Sequence, residues 1–382
     1  MALMKILFFS SLLMLVYVYV GYPILVFLLS TLINKKVRKQ TFQPYVTILI
    51  AAYNEEESIA KTIENKLTLN YPKDRLEIIV ISDDSTDRTD EIVRRYSARS
   101  VRLLRQEPRN GKTSALNMAV QEAKGEILVF SDANSIYDSD AVRHLISLFG
   151  DTRVGYVTGK MIYTNPDGTI VGDGCSAYMK YENFLRKHET KLGSIVGVDG
   201  GIDAVRKSLY EPMRADQLPD FILPLKVIEK GYRVVYEPDA ILKEESLNST
   251  QDEYRMRVRV SLRSFWALHD MKHLFNLFRY GFFSWQMISH KALRYVAFMI
   301  LICLYVSNGL MWSQGVIYKI FFVLQNAFYG IAYLGLLRGL KGIWFKFAYF
   351  PYYFSLLNIA AGHAFVKFLR GEKQVIWRPR VG

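Results

Sequence analysis

Long apolar runs lie near both ends of the chain and predict that it is held in a membrane. Four stretches contain no Asp, Glu, Lys or Arg: residues 6–34, 295–312, 320–337 and 347–366. About 18 apolar residues in a row suffice for a helix to cross the roughly 30 Å hydrocarbon core of a bilayer. We therefore predict one N-terminal and about three C-terminal transmembrane helices.

The chain between these runs alternates between short apolar segments and helical patterns. The segments of strand type are Val46–Ala52, Leu76–Ser82, Val101–Leu104 and Glu126–Ser131. Helical patterns follow them, the first to about Leu69, the second to about Ser97 and the third from Lys112 to Ala123, and Ser85 or Thr86 is expected to cap the second. Such alternation is typical of βαβ units, so an α/β domain with a Rossmann-like, mostly parallel sheet is predicted.

Polar side chains follow three of the predicted strands at the point where each strand ends. They are Asn54 and Glu55, Asp83 and Asp84, and Asp132 and Asn134. Open α/β sheets bind their ligands at the carboxyl ends of parallel strands. One such carboxylate is as well explained by an Asx turn, but three clusters at one sheet edge indicate a binding site.

Composition narrows the class of protein. Hydrophobic residues make up 51% of the 382 residues, but they are concentrated in the runs described above, which excludes a soluble enzyme, a disordered chain and a disulfide-stapled secreted module. The two cysteines, Cys175 and Cys303, are most simply interpreted as free thiols in a reducing compartment.

We attribute the net charge of +13 to basic residues that contact the anionic headgroups of the membrane, and we expect no nucleic-acid partner. Lys5 and a basic cluster at residues 35–39 flank the first apolar run, and the positive-inside rule then places the middle domain in the cytoplasm, as expected for an inner-membrane protein. Three crossings after that domain would leave the tail outside, yet its basic residues favour the inside. One apolar run is therefore a candidate for an interfacial or re-entrant segment. The basic tail residues are Lys367, Arg370, Lys373, Arg378 and Arg380.

The available chemistry is that of hard oxygen ligands. The first strand is not followed by Gly-x-Gly-x-x-Gly, and the chain has no phosphate-loop motif. Asp132 and Asn134 leave a strand two residues apart, and their oxygens suit Mg²⁺ or Mn²⁺, which commonly bridges to substrate phosphates. An ion held there would neutralise charge on a departing diphosphate.

The ordered motifs resemble the membrane-bound inverting glycosyltransferases of family 2, which have a GT-A fold and act in polysaccharide biosynthesis. The resemblance runs from about residue 44 into the C-terminal apolar region. The motifs are AAYNEEESI, VISDDSTD, GKTSALN, FSDANS, VDGGIDAVR, LPDFILPLKVIEKGYRVVYEPDA and SHKALRY.

The resemblance implies a nucleotide-sugar site built from matching residues. Ala51, Tyr53 and Glu55 correspond to the first nucleotide loop, Asp83 and Asp84 to the base-recognition pair, with Asp84 the preferred contact to uracil, and Lys112 to the basic residue near the nucleotide. Asp132 corresponds to the first member of the family's Asp-x-Asp metal and diphosphate motif. Asn134 replaces the second member, so weaker metal binding is expected, since an amide oxygen carries no charge.

The resemblance also implies that Asp220 is the catalytic base. It begins a predicted helix after Leu218 and Pro219, and it would deprotonate the acceptor hydroxyl. When the resemblance is set aside, a first-turn carboxylate is better explained as a plain helix cap.

Two further groups are candidates for acceptor or diphosphate contacts. Asp199, Gly200, Gly201 and Asp203 correspond to the family's acceptor-side loop, although a tight turn explains the glycines equally well. Arg255, Arg259 and Arg263 recur every four residues on one helix face, and Arg contacts to lipid headgroups are an equal alternative to diphosphate recognition.

The expected function is a metal-dependent hexosyltransferase that uses a UDP-sugar and a lipid-linked or growing saccharide acceptor in cell-surface polysaccharide synthesis. The Gln-x-x-Arg-Trp motif of processive synthases is missing, which disfavours but does not exclude a synthase that exports its own polymer. A catalytically silent nucleotide-sugar sensor is the alternative from another class.

These interpretations divide the chain into five parts. They are an N-terminal anchor (1–36), a GT-A domain (40–255), basic and amphipathic interfacial helices (256–292), a C-terminal transmembrane region (293–368) and a basic tail (369–382).

Overall fold

An eight-stranded mixed sheet organises the middle of the chain. The computed structural model describes residues 1–164, 170–245, 249–337 and 343–376. The strands are β1 Val46–Ala52, β2 Leu76–Asp83, β3 Val101–Gln106, β4 Ile127–Asp132, β5 Ile136–Tyr137, β6 Val154–Thr164, β7 Ile202–Arg206 and β8 Arg233–Glu245. Their order is β3-β2-β1-β4-β7-β6-β8-β5.

The first four strands form the parallel half of the sheet. Strand β1 pairs in parallel with β2 and β4, and β2 pairs in parallel with β3. Beyond β4 the sheet is mixed, because β7 runs antiparallel to both β4 and β6 whereas β6 and β8 are parallel. The prediction of a mostly parallel sheet is therefore correct for the segments recognised as strands, and the second half adds antiparallel pairs.

Helices cover both faces of the sheet and extend beyond it at the two ends of the chain. They are α1 Ala2–Val16, α2 Tyr22–Leu32, α3 Ile59–Leu67, α4 Thr89–Arg94, α5 Gly111–Glu122, α6 Ala141–Ser147, α7 Ile170–Leu192, α8 Pro219–Glu229, α9 Thr250–Asp270, α10 Leu277–Tyr280, α11 Phe282–Gln286, α12 Leu293–Tyr295, α13 Ala297–Leu310, α14 Val316–Leu337 and α15 Ile343–Leu369.

The central strands consist largely of consecutive apolar residues because both faces of the sheet are buried there. All seven residues of β1 are buried. Ile48 and Ile50 join the core beneath α3 and α6, whereas Leu49 joins the core on the opposite face, beneath α5 and α8. Successive side chains of a strand point to opposite faces, so a strand covered on both sides has no polar positions to alternate with.

The predicted helix after β2 begins later than expected. Its first residue is Thr89, and Ser85 and Thr86 do not cap it. Instead, the Asn54 backbone N–H donates to Ser85 Oγ, and the Thr86 N–H donates to Asn54 Oδ1. Ser85 and Thr86 thus connect the loops after β1 and β2. The prediction that one of them caps the helix was wrong, because both take part in this tertiary contact.

Two helical segments are long and apolar enough to cross a membrane. One is Ala2–Leu32, in which a π-helical turn joins α1 to α2, and the other is Val316–Leu336. A third is possible if the pair Phe282–Tyr295 and Ala297–Leu310, bent by 59°, counts as one span. The expected apolar helix at the N-terminus is therefore present. After the sheet domain the described residues hold one candidate span, or two with the bent pair, where about three were predicted.

Helix α15, the last apolar run, lies along α9 of the sheet domain. The Tyr353 hydroxyl donates to Glu253 Oε1 at 2.7 Å, and the rings of Trp266 and Phe368 meet edge to face at 4.7 Å. The residues after α15 lie beside the sheet domain, where Lys373 pairs with Asp216 at 2.7 Å. Arg378 and Arg380 of the predicted tail lie outside the described residues. The predicted boundary at residues 255 and 256 falls inside α9.

Candidate active site

A continuous cavity of about 1060 Å³ opens at the carboxyl ends of β1 and β4 and extends among the C-terminal helices. Its volume is at the upper end of the range for small-molecule sites. Sequence-distant residues line its sheet end: Ala51, Glu55, Lys112, Asp132, Asn134 and Asp220. The structure thus brings polar residues from the first and third of the predicted clusters to one cleft, whereas Asp83 and Asp84 of the second cluster do not line it.

Lys112 and Asp132 form the charged centre of the sheet end. Lys112 stands in the first turn of α5, and its ammonium group donates to Asp132 Oδ1 at the end of β4. Burial alone would lower the pKa of Lys112, but the carboxylates of Asp132 and Asp220 outweigh it, so the pKa is raised. The ammonium group therefore stays charged and links the metal-site candidate to the predicted base.

The two carboxylates at the end of β2, Asp83 and Asp84, differ in their accessibility to a ligand. Asp83 is fully buried, and its Oδ1 accepts the backbone N–H groups of Asn110 and Gly111, so this carboxylate holds the start of α5. Asp84 has a left-handed backbone (φ 60°) and a partly exposed side chain, which pairs with Arg105 at 2.8 Å. Of the predicted base-recognition pair, Asp84 is thus the accessible member.

In the loop after β1, the predicted residue Tyr53 lies under the guanidinium group of Arg109, which is 3.3 Å from the centre of the tyrosine ring.

Asp220 faces the cavity from the start of α8. Leu218 occupies the N-cap position, and its side chain makes no capping hydrogen bond. Asp220 lies in the first turn of the helix and is therefore not the N-cap residue. Burial raises the pKa of Asp220, and this effect is opposed by the charges of Lys112 and Arg263. A raised pKa suits a carboxylate that has to accept a proton.

The glycine-rich loop before β7 lets the backbone approach Asp220. Gly200 has φ +83°, and a Cβ atom there would collide with the Asp220 carboxylate. The Gly200 N–H donates to Asp203 Oδ2 at 2.9 Å, and the hydroxyl of Tyr156 donates to the same oxygen at 2.9 Å. Asp203 is 1% exposed, so its side chain contacts the loop and not the cavity. Gly201 packs against Leu242 and Met161.

Asp199, the first residue of that motif, lines the cavity as half of a buried ion pair. Its Oδ1 lies 2.5 Å from Arg186 on α7, and both side chains are at most 4% exposed. Sequence reasoning did not identify Arg186, because a single arginine within a mixed helix carries no local signal.

Two of the three arginines predicted on one face of α9 line the cavity, namely Arg259 and Arg263. Arg263 is buried and also donates to Thr113 Oγ1 at 3.0 Å and to the carbonyl oxygen of Asp216 at 3.2 Å. Arg255 is exposed, pairs with Asp252 and is not among the lining residues. A helix turns about 40° beyond a full turn every four residues, so the direction of the side chains drifts along this row and its first member points away from the cavity.

A second charged group in the cavity wall was missed. Glu182 on α7 accepts from Arg294 at 2.5 Å and lies 3.2 Å from His290 and 3.7 Å from Lys291. His290, Lys291 and Arg294 belong to the motif SHKALRY, to which no role had been given. Arg257 also lines the cavity and pairs with Glu253 at 2.8 Å.

The donor set at Asp132 and Asn134 fits a hard divalent ion. Both side chains line the cavity and are partly exposed, and they offer a carboxylate and an amide oxygen. A separate cluster of His144, Glu237 and Asp239 exists within the part of the chain that the structure describes. Lys39 lies 2.8 Å from Glu237 and 3.6 Å from Asp239, and the cluster does not line the cavity, so we assign it no part in the site.

The chain has recognisable relatives. Residues 47–212 match the family model "Glycosyl transferase family 2". The chain is 31% identical over 267 residues to "Probable glycosyltransferase YdaM" of Bacillus subtilis (strain 168), which covers 63% of this chain and 62% of that protein. It is 33% identical over 172 residues to "Beta-monoglucosyldiacylglycerol synthase" of Nostoc sp., which covers 44% of this chain and 37% of that protein. The chain thus spans less than two thirds of the length of these relatives.

A solved structure shares the fold over nearly the whole chain. It is "Mannosyltransferase PcManGT from Pyrobaculum calidifontis in complex with GDP-Man and Mn2+", with a TM-score of 0.71 and 22% identity, and the match covers 96% of this chain and 99% of that one. The predicted GT-A fold with apolar terminal helices is confirmed.

Proposed function

We propose that this protein, whose residues 47–212 match the model of glycosyl transferase family 2, is an inverting, metal-dependent hexosyltransferase. It moves a sugar from a UDP-sugar to a hydroxyl group of a lipid-linked or growing saccharide at the cytoplasmic face of the membrane. The observation that carries the proposal is the shared cavity of Lys112, Asp132 and Asp220, which come from three different elements. A relative named for synthesis of a glucosyldiacylglycerol supports a lipid acceptor.

Each residue has a role in the proposed reaction. Asp220 accepts the proton of the acceptor hydroxyl, whose oxygen attacks the anomeric carbon while the bond to the diphosphate breaks on the opposite side, which inverts the configuration. Lys112 and Arg259 face the leaving diphosphate and stabilise its charge. Gly200 keeps space for Asp220, and Asp203 holds Gly200 in place. Asp84 is the proposed contact to the base.

Asp132 and Asn134 are the residues that would hold the metal. A divalent ion bound there would neutralise charge on the diphosphate. The amide in place of a second carboxylate predicts weak affinity, so transfer should be lost on treatment with a chelator and restored by added Mn²⁺ or Mg²⁺.

Replacing the proposed base tests the proposal. Asp220→Asn should retain donor binding and lower the rate of transfer about a hundredfold or more, because the amide cannot accept the proton. The measurement is product formation by purified membranes given a panel of radiolabelled UDP- and GDP-sugars, with donor affinity measured separately.

Asp216→Asn is the matched control, since Asp216 lies four residues earlier and pairs with Arg214 and Lys373. It should transfer sugar at close to the normal rate. Normal turnover by Asp220→Asn would disprove the assignment of the base, and failure of every nucleotide sugar to react with the unaltered protein would favour the sensor alternative.

A further inference from the structure

The cavity continues past the sugar-transfer site into the apolar helices, and nothing in the proposed reaction uses this second part. We call it the membrane arm. Its walls come from α13, α14 and α15 and are largely apolar. Six of the lining residues are Leu301, Leu304, Leu324, Phe328, Phe354 and Leu357. A nucleotide sugar is polar throughout, so this surface calls for a different ligand.

The exposure of two lining residues points to a sideways opening of the membrane arm at the middle of the helices. Val20 and Leu324 both line the cavity, yet they are 52% and 61% exposed, so the wall there is also the outer surface. Val20 lies within the segment Ala2–Leu32 and Leu324 within Val316–Leu336, the two candidate membrane spans. Because neither residue is near the end of its span, the opening faces the depth at which acyl chains lie.

The neck between the transfer site and the membrane arm carries an excess of positive charge. Arg186, Arg257, Lys291 and Arg294 line it, whereas the carboxylates that line it are Glu182 and Asp199. Arg186 is paired with Asp199 and Arg294 with Glu182, both at 2.5 Å, and Arg257 is paired with Glu253 behind the wall at 2.8 Å. Lys291 lies farther from its carboxylate, 3.7 Å from Glu182, so its charge is the least compensated of the four.

We propose that the membrane arm binds the apolar chain of an anionic lipid acceptor. The chain enters sideways past Leu324, the anionic group lies at Lys291, and the hydroxyl to be glycosylated reaches Asp220. This inference rests on the proposed function and narrows its acceptor from a saccharide in general to an amphiphile with an anionic linkage. Asn308, Gln325 and Asn358 also line the arm, so a saccharide chain is the competing occupant.

Photolabelling tests which occupant is correct. The full-length protein is placed in nanodiscs that contain phosphatidylglycerol with a diazirine on its acyl chain, or diacylglycerol with the same chain. Leu304 lines the arm but is only 7% exposed, whereas Ile317 is 50% exposed, so adducts at Leu304 report a chain inside the arm and adducts at Ile317 report bulk lipid. We expect phosphatidylglycerol to label Leu304 in the unaltered protein.

Two variants make the test specific. Leu324→Trp should fill the opening and lower labelling of Leu304 about tenfold relative to Ile317. Val323→Trp is the matched control, because Val323 is 57% exposed on the same helix and does not line the cavity, and its labelling should be normal. Lys291→Met should lower labelling by phosphatidylglycerol about tenfold and leave labelling by diacylglycerol unchanged.

The outcomes separate this inference from the proposed function. Labelling of Leu304 that is equal in Leu324→Trp and Val323→Trp would overturn the membrane arm as a lipid site, and so would protection of Leu304 by a soluble oligosaccharide, which would indicate a saccharide path. Equal labelling by the two lipids would overturn the anionic linkage. None of these readouts needs turnover. Loss of nucleoside diphosphate release from every nucleotide sugar would count against the proposed function alone.

Discussion

The carboxyl group of Asp203 shows how one buried residue sets a pH dependence. Burial raises its pKa from 3.8 to about 7. An acid whose pKa is raised by folding stabilises the fold below its unfolded pKa, here 3.8, and this contribution is lost as the pH rises through about 7. Asp203 accepts the N–H of Gly200, so the group that titrates is the proposed support of the loop beneath Asp220.

Asp203→Asn should remove this pH dependence. Between pH 4 and pH 8 the unaltered protein is expected to lose about 2–4 kcal/mol more unfolding free energy than the variant, because the amide stays neutral. Thermal unfolding in detergent at a series of pH values measures this difference in unfolding free energy. Asp216→Asn, whose carboxyl pKa is lowered in the folded state, should not show this flattening, and parallel pH curves for Asp203→Asn and the unaltered protein would contradict the assignment.

At the scale of elements, the loop before β7 matters through the shape of its backbone. Gly200→Ala adds a methyl group at φ +83° that collides with Asp220. The left-handed backbone should cost about 1–2 kcal/mol of stability. Displacement of the Asp220 carboxylate should lower the transfer rate by about a hundredfold.

Gly231→Ala separates strain from displacement. Gly231 has φ +84°, but nothing lies within 4 Å of the added methyl group. This variant should lose a similar amount of stability and keep its activity. If the two alanine variants are equally active, the contact between Gly200 and Asp220 has no catalytic importance.

The elements themselves were predictable wherever the hydrophobic pattern was strong. Strand β1 was predicted as Val46–Ala52 and is observed with the same bounds, since a fully buried parallel strand is a continuous run of apolar, β-branched residues. The later strands were not recognised, because β6 and β8 have partly exposed residues and end beside segments of mixed polarity. The start of α4 was predicted too early because Ser85 and Thr86, which were expected to cap the helix, bind Asn54 instead.

For the whole molecule, the position of the tail leads to a prediction about membrane sidedness. Residues 371–376 follow α15 and lie against the sheet domain: the Trp266 indole donates to the carbonyl oxygen of Glu372 at 2.8 Å, and a Cβ atom at Gly111 would collide with the carbonyl oxygen of Val375. We therefore expect an even number of membrane crossings between the sheet domain and residues 371–376.

Cysteine labelling measures this topology. Cys303 is exposed and should first be replaced by alanine, whereas Cys175 is buried. In that background, Lys36→Cys and Gln374→Cys should react with an impermeant maleimide from the same side of sealed vesicles, and Ser313→Cys, between α13 and α14, from the other. Reaction of positions 374 and 313 from one side would contradict the packing of α15 along α9.

The sequence alone determined the apolar runs long enough to cross a membrane, the α/β alternation and the strand ends at which the candidate site residues stand, because each depends on local patterns of polarity and on short motifs. Only the tertiary structure decided which of those residues share a cavity. Asp83 and Asp203 hold backbone N–H groups, whereas Asp132 and Asp220 face the cavity beside Lys112. It also revealed the membrane arm and its cationic neck, whose residues come from helices far apart in the chain. Burial and charge pairing are properties of the folded neighbourhood, and no local pattern encodes them.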